Sequence, residues 1–229
     1  MKIKYAWFAL LIFIINGIVS ATACGESIVY KQVDTADMKI ALTFDDGPHP
    51  FRTEEILNVL DKHGVKATFF IVGSNALNYP DTLRRVVECG HEVANHTFSH
   101  KLNSNTSKKD IINELNETSN IIIDICECEV KYFRPPGGCI SKNVLEAAEE
   151  CGYQIVLWNI DTLDWTNCEE EKITENVYKK IKSGSIILFH DYVSNKSHTV
   201  SSLDKIIPKL ISEGYSFVTV GELLEYSQR

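Results

Sequence analysis

The chain of 229 residues lacks an excess of basic side chains. It has 23 Lys and Arg and 31 Asp and Glu, which gives a net charge of −8. Because binding to a phosphate backbone needs a basic face, we expect no nucleic acid partner. The chain also lacks low-complexity stretches and linkers after residue 37, and 44% hydrophobic with 24% charged residues is an ordinary globular composition. These absences exclude a disordered, collagenous or polytopic membrane protein.

Residues 1–25 have the pattern of a secretory signal. Two lysines precede a strongly apolar run over 7–15, and small residues follow at 20–23. The uncharged stretch is also long enough for a retained membrane anchor, which needs roughly 20 residues. The four residues ending at Cys24 are similar to a bacterial lipobox, with Ala in place of the usual Leu, so a lipid on Cys24 is a third reading. In each case we expect a secreted protein or one on the extracellular face of the membrane.

The seven cysteines leave two possibilities open, because export permits disulfides but does not require them. If Cys24 is lipidated or removed, six cysteines remain, and the sequence does not choose among their ~15 pairings. Six free, half-buried thiols fit the sequence equally well. Cys126 and Cys128 are separated by one residue, which is closer than in zinc-binding pairs, and no second pair follows. We therefore predict a structural role for both.

After residue 37 the chain alternates between short apolar segments of β-formers and segments with apolar residues at helical spacing. We predict seven strands, over residues 39–44, 67–72, 91–95, 131–134, 154–160, 185–190 and 216–220. Between them we predict helices over 52–63, 81–89, 107–125, 141–151, 173–181 and 203–211, with Ser107 and Ser141 as N-caps. Uninterrupted strand–helix units favour a single α/β domain with a parallel sheet, either a barrel or an open doubly wound sheet. We expect a monomer.

Ionisable residues gather directly after five of these strands. They lie in the segments Asp45-Asp46-Gly47-Pro48, His96-Thr97-Phe98-Ser99-His100, Arg134-Pro135-Pro136-Gly137-Gly138, Asp161-Thr162-Leu163-Asp164-Trp165 and His190-Asp191. In parallel α/β folds the C-terminal ends of the strands lie on one face, where the loops build the active site. We therefore expect these side chains to form one site.

The residue types at these strand ends indicate a metal hydrolase. His96 and His100 are four residues apart, so in a helical turn they would share one face. Two imidazoles and one carboxylate leave zinc an open position for water. An HxxxH pair alone occurs by chance, but the neighbouring Asp45 and Asp46 strengthen the interpretation. One aspartate would bind the metal while the other stays free as a base.

The segments TFDDGP (43–48), NHTFSH (95–100), FRPPGG (133–138), DTLDW (161–165) and LFHD (188–191) resemble, in order, the five motifs of NodB-type polysaccharide deacetylases, carbohydrate esterase family 4. The resemblance covers residues 37–226. It implies a single-domain distorted (β/α) barrel with about seven parallel strands. The implied chemistry is metal-dependent removal of N- or O-acetyl groups from a polysaccharide. Peptidoglycan N-acetylglucosamine fits an exported domain best, while chitooligosaccharide, acetylated xylan and N-acetylmuramate stay open.

The resemblance also implies roles for the residues that bind the metal and activate water. Asp46, His96 and His100 are the expected ligands of one divalent ion, which we expect to be Zn²⁺. Asp45 is the expected general base. Arg134 is similar to the family arginine that holds this aspartate in place.

A second group of residues is implied in substrate binding and protonation of the leaving group. His190 is the expected general acid, and Asp161 resembles the aspartate that orients it. The oxyanion would lie on the metal and on the backbone N–H of Gly137, where the family often has Tyr. Trp165 and Leu188 resemble the walls of the acetyl pocket.

Two other functions compete with this hypothesis. One is a non-catalytic carbohydrate-binding protein on the same barrel, although such relics usually lose a ligand or the base. A metal phosphoesterase is weaker, because no extra carboxylates suggest a second metal. Outside the main assignments, Asp164 is predicted as either a substrate contact or a capping residue, and Asp191 as solvated or capping. We predict surface positions or satisfied structural roles for the remaining histidines, which are His49, His63, His91 and His198. Trp158 is predicted to lie in the core.

Overall fold

The computed structural model describes residues 29–192 and 197–226. The signal or anchor predicted over residues 1–25, and Cys24 within it, lie outside these ranges and stay predictions. No helix in the described ranges is long and apolar enough to cross a membrane. The six cysteines that are described are free and half-buried, which is one of the two alternatives left open by the sequence.

Strands and helices alternate through the described part of the chain. The strands are β1 (Val29–Tyr30), β2 (Lys39–Asp45), β3 (Thr68–Ile71), β4 (Glu92–Asn95), β5 (Tyr132–Phe133), β6 (Gln154–Val156), β7 (Ile160–Asp161), β8 (Ile186–His190) and β9 (Ser216–Phe217). The helices are α1 (Arg52–Lys62), α2 (Gly73–Asn78), α3 (Pro80–Glu88), α4 (Lys108–Cys126), α5 (Lys142–Glu150), α6 (Glu170–Tyr178), α7 (Thr199–Ser212) and α8 (Val220–Glu225). Both predicted N-caps are confirmed, since Ser107 accepts from the N–H of Asp110 and Ser141 from that of Val144.

The described strands form a curled sheet in the order β1-β6-β5-β4-β3-β2-β8-β7, with β9 beside β2. Every pair of these strands is parallel. The predicted distorted (β/α) barrel is therefore confirmed, and the open doubly wound alternative is wrong.

The strand predicted over 154–160 is wrong in one respect, because the structure breaks it into β6 and β7. Strand β6 pairs with β1 and β5, whereas β7 pairs with β8 at the other end of the sheet. Between them the backbone changes partner, because the N–H of Leu157 donates to Tyr30 at 2.7 Å and that of Asn159 to Ile186 at 3.2 Å. The carbonyl oxygen of Leu157 accepts a hydrogen bond from Arg134. This one segment therefore links the two sides of the curled sheet.

The strand predicted over 216–220 is also too long. Only Ser216–Phe217 is a strand, and Val220 already belongs to α8. Thr219 and Glu222 form a capping box that starts this helix. Both α2 and α8 have six residues, which is too short for a helical period to stand out in the sequence.

The side chains of β2 point alternately to the core beneath the helices and to the barrel interior. Ile40, Leu42 and Phe44 pack in the cluster beneath the surrounding helices, whereas Ala41 belongs to the interior cluster. Because side chains alternate along a strand, Asp45 also points to the interior. Helix α8 closes the opposite end of the barrel, where the N–H of Val220 donates to Thr68 Oγ1 at 2.8 Å. The C-terminal ends of the strands are thus left for the site.

Candidate active site

A cavity of about 370 Å³ opens at the C-terminal ends of the strands. It is lined by Asp45, Asp46, His96, His100, Gly137, Trp158, Asp161, Trp165, Leu188 and His190. The cavity therefore brings together the predicted site residues apart from Arg134, which is fully buried beside it. Trp158, predicted as core, is half-buried against the core and also forms a wall of this cavity. It lies between β6 and β7, where the strand breaks, so the strand pattern gave no signal for its position.

The side chains of Asp46, His96 and His100 converge, and one ligand atom from each lies within 4.8 Å of the others. The Nε2 atoms of His100 and His96 lie 3.0 and 3.4 Å from Asp46 Oδ1. That oxygen is buried and has no hydrogen-bond partner among the described residues. Burial alone would raise the pKa of Asp46, but the two imidazoles outweigh it and hold the pKa well below its ordinary value. An orphaned carboxylate oxygen facing two imidazoles fits a divalent cation.

The tautomer of His96 is fixed by a contact on the far side of its ring. Its Nδ1 lies 2.6 Å from the carbonyl oxygen of Arg134, so Nδ1 carries the hydrogen and donates it. The Nε2 lone pair is thereby left pointing toward Asp46. A second hydrogen bond of this kind is what orients metal-binding histidines.

The expected helical turn across His96 and His100 is wrong, because this segment is an irregular loop. Thr97 and His100 adopt positive φ angles of 68° and 57°, and Asp46 one of 79°. Positive φ is unfavourable for residues with a side chain and is seen where surrounding structure enforces it. Backbone strain, rather than helical spacing, brings the two imidazoles together with the carboxylate.

Glu114 of α4 holds this loop in place, a role that the sequence analysis missed. Its Oε2 accepts hydrogen bonds from the N–H groups of Phe98 and Ser99 at 2.9 and 2.7 Å. Its Oε1 accepts one from the Ser99 hydroxyl at 2.8 Å. No sequence motif links a residue in the second turn of a helix to a loop more than ten positions earlier, so no signal could have found it.

Asp45 and Arg134 form a buried ion pair, as expected. The guanidinium Nη1 donates to Asp45 Oδ1 at 2.6 Å, and both side chains are almost completely buried. Further donors reach the Thr43 hydroxyl and the carbonyl oxygens of Val156 and Leu157, each at 2.9 Å. The arginine is therefore satisfied by four acceptors, and it fixes the direction of the carboxylate.

The second oxygen of Asp45 faces the three converging ligands. Asp45 Oδ2 lies 3.7 Å from Nε2 of His96. It is not used by Arg134, so it can accept a proton from a group placed between it and Asp46. The two neighbouring aspartates are thus divided in role by their environments.

The expected pairing of His190 with Asp161 is wrong, because Asp164 takes that position. Asp164 Oδ1 accepts from Nδ1 of His190 at 2.8 Å, and its Oδ2 from the backbone N–H of the same residue at 2.9 Å. Asp161 instead accepts from the N–H of Leu163 at 2.9 Å and caps the turn. Leu163 has a positive φ of 62°, which swings Asp164 inward.

Asp164 is completely buried and gives His190 a strong preference for its protonated form. Burial alone would lower the pKa of His190, but the hydrogen bond and charge of Asp164, with Asp45 and Asp46, raise it to about 9. Oδ2 of Asp164 also accepts from the hydroxyl of Thr199 at 2.7 Å. The imidazole is thus fixed through Nδ1, and Nε2 is left for the cavity.

Asp191 was predicted as solvated or capping but is fully buried. Its Oδ2 accepts from the Thr53 hydroxyl at 2.6 Å, and a Cβ at Gly47 would collide with its carboxylate. Burial, opposed by the Thr53 hydrogen bond, raises the pKa of Asp191 to about 7. This aspartate therefore packs against the loop after β2 and explains why that position is glycine.

The remaining predicted positions differ in exposure. Leu188 is buried in β8, whereas 54% of the Trp165 surface is exposed at the cavity mouth. Gly137 has a positive φ of 61°, and its Cβ position is open space. Away from the cavity, Nε2 of His63 lies 2.8 Å from Asp204, in agreement with a structural role.

The chain matches the family model described as polysaccharide deacetylase over residues 32–156. It is 41% identical over 197 residues to a peptidoglycan-N-acetylglucosamine deacetylase of Bacillus cereus, covering 85% of this chain and 92% of that protein. It resembles the crystal structure of the Bc1960 peptidoglycan N-acetylglucosamine deacetylase with a TM-score of 0.83 and 36% identity, over 86% of this chain and 92% of that one. The chain belongs to the NodB-type polysaccharide deacetylases, carbohydrate esterase family 4.

A further structural relative is a pseudoenzyme. The crystal structure of BA3943, described as a CE4 family pseudoenzyme from Bacillus anthracis, matches with a TM-score of 0.81 and 28% identity, over 86% of this chain and 69% of that one. The fold therefore occurs with and without activity. For this chain, the homologues named as deacetylases support deacetylase function, and the residues in the cavity must carry the chemistry.

Proposed function

We propose that this protein is a metal-dependent deacetylase that removes N-acetyl groups from peptidoglycan N-acetylglucosamine. The observation that carries the proposal is the orphaned oxygen of Asp46 between two imidazoles, with Asp45 and His190 in the same cavity. The substrate class rests on relatives named peptidoglycan-N-acetylglucosamine deacetylases. Such a substrate lies outside the cytoplasm, in keeping with the predicted export.

Asp46, His96 and His100 would hold the metal, and we propose zinc because two imidazoles and a carboxylate are typical of its catalytic sites. When bound, the ion supplies Lewis acidity, which polarises the acetyl carbonyl and lowers the pKa of water. Asp45 accepts the proton of the attacking water at Oδ2, while Arg134 keeps Oδ1 occupied. A base held within reach of that proton accelerates the attack.

His190 donates the proton that the departing amine requires. Its pKa of about 9 keeps the ring protonated at neutral pH, and Asp164 aims Nε2 toward the cavity. The backbone N–H of Gly137 would donate to the oxyanion. Leu188 and Trp165, with Trp158, enclose the acetyl methyl group. Water adds to the carbonyl carbon and the C–N bond breaks. Acetate is released, and a free amine remains on the glycan.

The test compares acetate release and bound metal in the wild type, Asp46→Ala and Asp45→Asn. Peptidoglycan, chitopentaose and acetylxylan are assayed side by side. We expect release from peptidoglycan with one metal per chain, loss of metal and release together in Asp46→Ala, and retained metal with roughly thousandfold slower release in Asp45→Asn. Wild type that binds metal but releases no acetate would favour the non-catalytic carbohydrate-binding alternative. Preferential release from acetylxylan would reject peptidoglycan as the substrate.

A further inference from the structure

Two cysteines at the end of α4 lie outside the active cavity and take no part in the proposed mechanism. Cys126 is the last residue of the helix, Glu127 is its C-cap, and Cys128 follows directly. Both thiols are free, half-buried and packed against the core beneath the helices, in agreement with the structural role predicted for them. Glu127 and Glu129 are exposed on either side of Cys128, so this turn lies at the surface and is open to a small solute.

The backbone of Glu127 brings the two cysteines within the range that a disulfide requires. Glu127 adopts the left-handed conformation, with a φ of 52° and a ψ of 34°. The distance between the Cα atoms on either side of a residue is set by the φ and ψ of that residue, and helical values of either hand give about 5.4 Å. Cysteines joined by a disulfide have Cα atoms about 4.4–6.8 Å apart. A bond between Cys126 and Cys128 therefore requires little movement of the backbone.

The two thiols form a hydrogen bond with each other, in which Cys126 donates to Sγ of Cys128. Cys126 lies in the last turn of a helix, where the partial negative charge of the C-terminus disfavours a thiolate. The backbone N–H of Cys128 donates to its own sulfur and favours a thiolate there. The charges of Arg84 and Glu88 act on Cys126 in opposite directions. The hydrogen bond from Cys126, opposed by burial, lowers the pKa of Cys128 to about 7.

A thiolate that accepts a hydrogen bond from a neighbouring thiol is suited to thiol–disulfide exchange. The thiolate is the nucleophile, and attack is fastest when the pKa of the attacking thiol lies near the ambient pH. A second thiol within reach then displaces the group that the first one has captured. Two other cysteines have different partners, because Cys151 donates to Asn116 Oδ1 at 3.9 Å and Cys168 to the carbonyl oxygen of Leu163 at 3.3 Å.

We propose that Cys126 and Cys128 form a redox-active dithiol, which low-molecular-weight disulfides oxidise to a disulfide. The Cys128 thiolate attacks one sulfur of the small disulfide, the S–S bond breaks, and the other half leaves and takes up a proton. Cys126 then loses its proton and attacks Sγ of Cys128 in this mixed disulfide, and the second small thiol leaves. The cysteine pair loses two electrons and two protons, and the small disulfide is reduced to two thiols.

The test incubates the reduced full chain with glutathione disulfide at neutral pH and follows the mass of the peptide that carries each cysteine. In the wild type we expect a disulfide between Cys126 and Cys128. In Cys126→Ser the reaction should stop at a glutathione adduct on Cys128, because the resolving thiol is gone. In Cys128→Ser the adduct on Cys126 should form about fivefold more slowly, since the smaller thiolate fraction outweighs its higher nucleophilicity. Cys151→Ser is the matched control, because Cys151 is also half-buried at a helix end.

A wild type in which Cys126 and Cys128 stay reduced, or carry separate glutathione adducts, would overturn the proposal. A disulfide from either one to a cysteine elsewhere in the chain would do the same. Equal rates of adduct formation in the two serine variants would overturn the assignment of Cys128 as the attacking thiol. Mapping of the wild type needs no variant, so the proposal can be tested even if a substitution prevents folding. Acetate release is not measured, so the result is independent of the proposed deacetylase function.

Discussion

In the proposed mechanism, the two sides of the cavity that transfer protons are held in the same way by different parts of the fold. On one side Asp45 is held by Arg134, and on the other His190 is held by Asp164, each by a fully buried partner of opposite charge. Arg134 stands at the end of a strand and binds backbone carbonyls of the barrel. Asp164 stands in a short 3₁₀ turn after a left-handed residue. The base side is thus anchored in the sheet, and the acid side in a loop.

We predict that the Asp45–Arg134 pair contributes more to the free energy of unfolding than the His190–Asp164 pair does. Arg134→Met should leave Asp45 buried without its partner and lower the free energy of unfolding by about 3–5 kcal/mol. Urea unfolding measures this effect. The double variant with Asp45→Asn should recover part of the loss, because the uncompensated charge is gone. A loss below about 1 kcal/mol in Arg134→Met would show that the pair does not anchor the barrel.

Two aspartates of the same motif, Asp164 and Asp161, should differ in how strongly their substitution lowers kcat. Asp164→Asn should lower kcat on the amide substrate about a hundredfold, since general acid catalysis of this size depends on an oriented and protonated imidazole. Asp161→Asn, the matched variant three residues earlier, should change kcat by less than about threefold. Steady-state kinetics on chitopentaose compares them. The reverse order of effects would restore Asp161 as the partner of His190.

The smallest expected effect is on the pH dependence. In the proposed mechanism His190 donates a proton only from its protonated form, so turnover should fall as the pH rises through about 9. The stabilisation from its raised pKa is fully present below the ordinary value of 6.5 and is lost over the same rise to about 9. In Asp164→Asn the upper limb of the profile should move to lower pH. An upper limb that stays in place would mean that another group limits the reaction.

The site residues that directly follow strands could be predicted from the sequence. Asp45, Asp46 and Arg134 end predicted strands, so the parallel sheet alone places them at one edge. The partnership of Asp164 with His190 could not be found in this way. It depends on the positive φ of Leu163, which turns one aspartate of the motif inward and leaves the other at the turn.

Two other features were missed for related physical reasons. The segment over 154–160 reads as one apolar strand, and only pairing at both ends of the sheet shows why it breaks and exposes Trp158 to the cavity. Glu114 binds the loop of His96 from a helix that the chain reaches later. Contacts between segments distant in sequence leave no local pattern to read.

Zinc titration into the chelated protein tests whether acetate release depends on the metal. Acetate release from peptidoglycan is followed as the metal is restored. We predict that release is abolished by chelation and returns in proportion to zinc, reaching a plateau at one ion per chain. Release that survives chelation, or one bound zinc without any release, would contradict the assignment of a metal-dependent deacetylase.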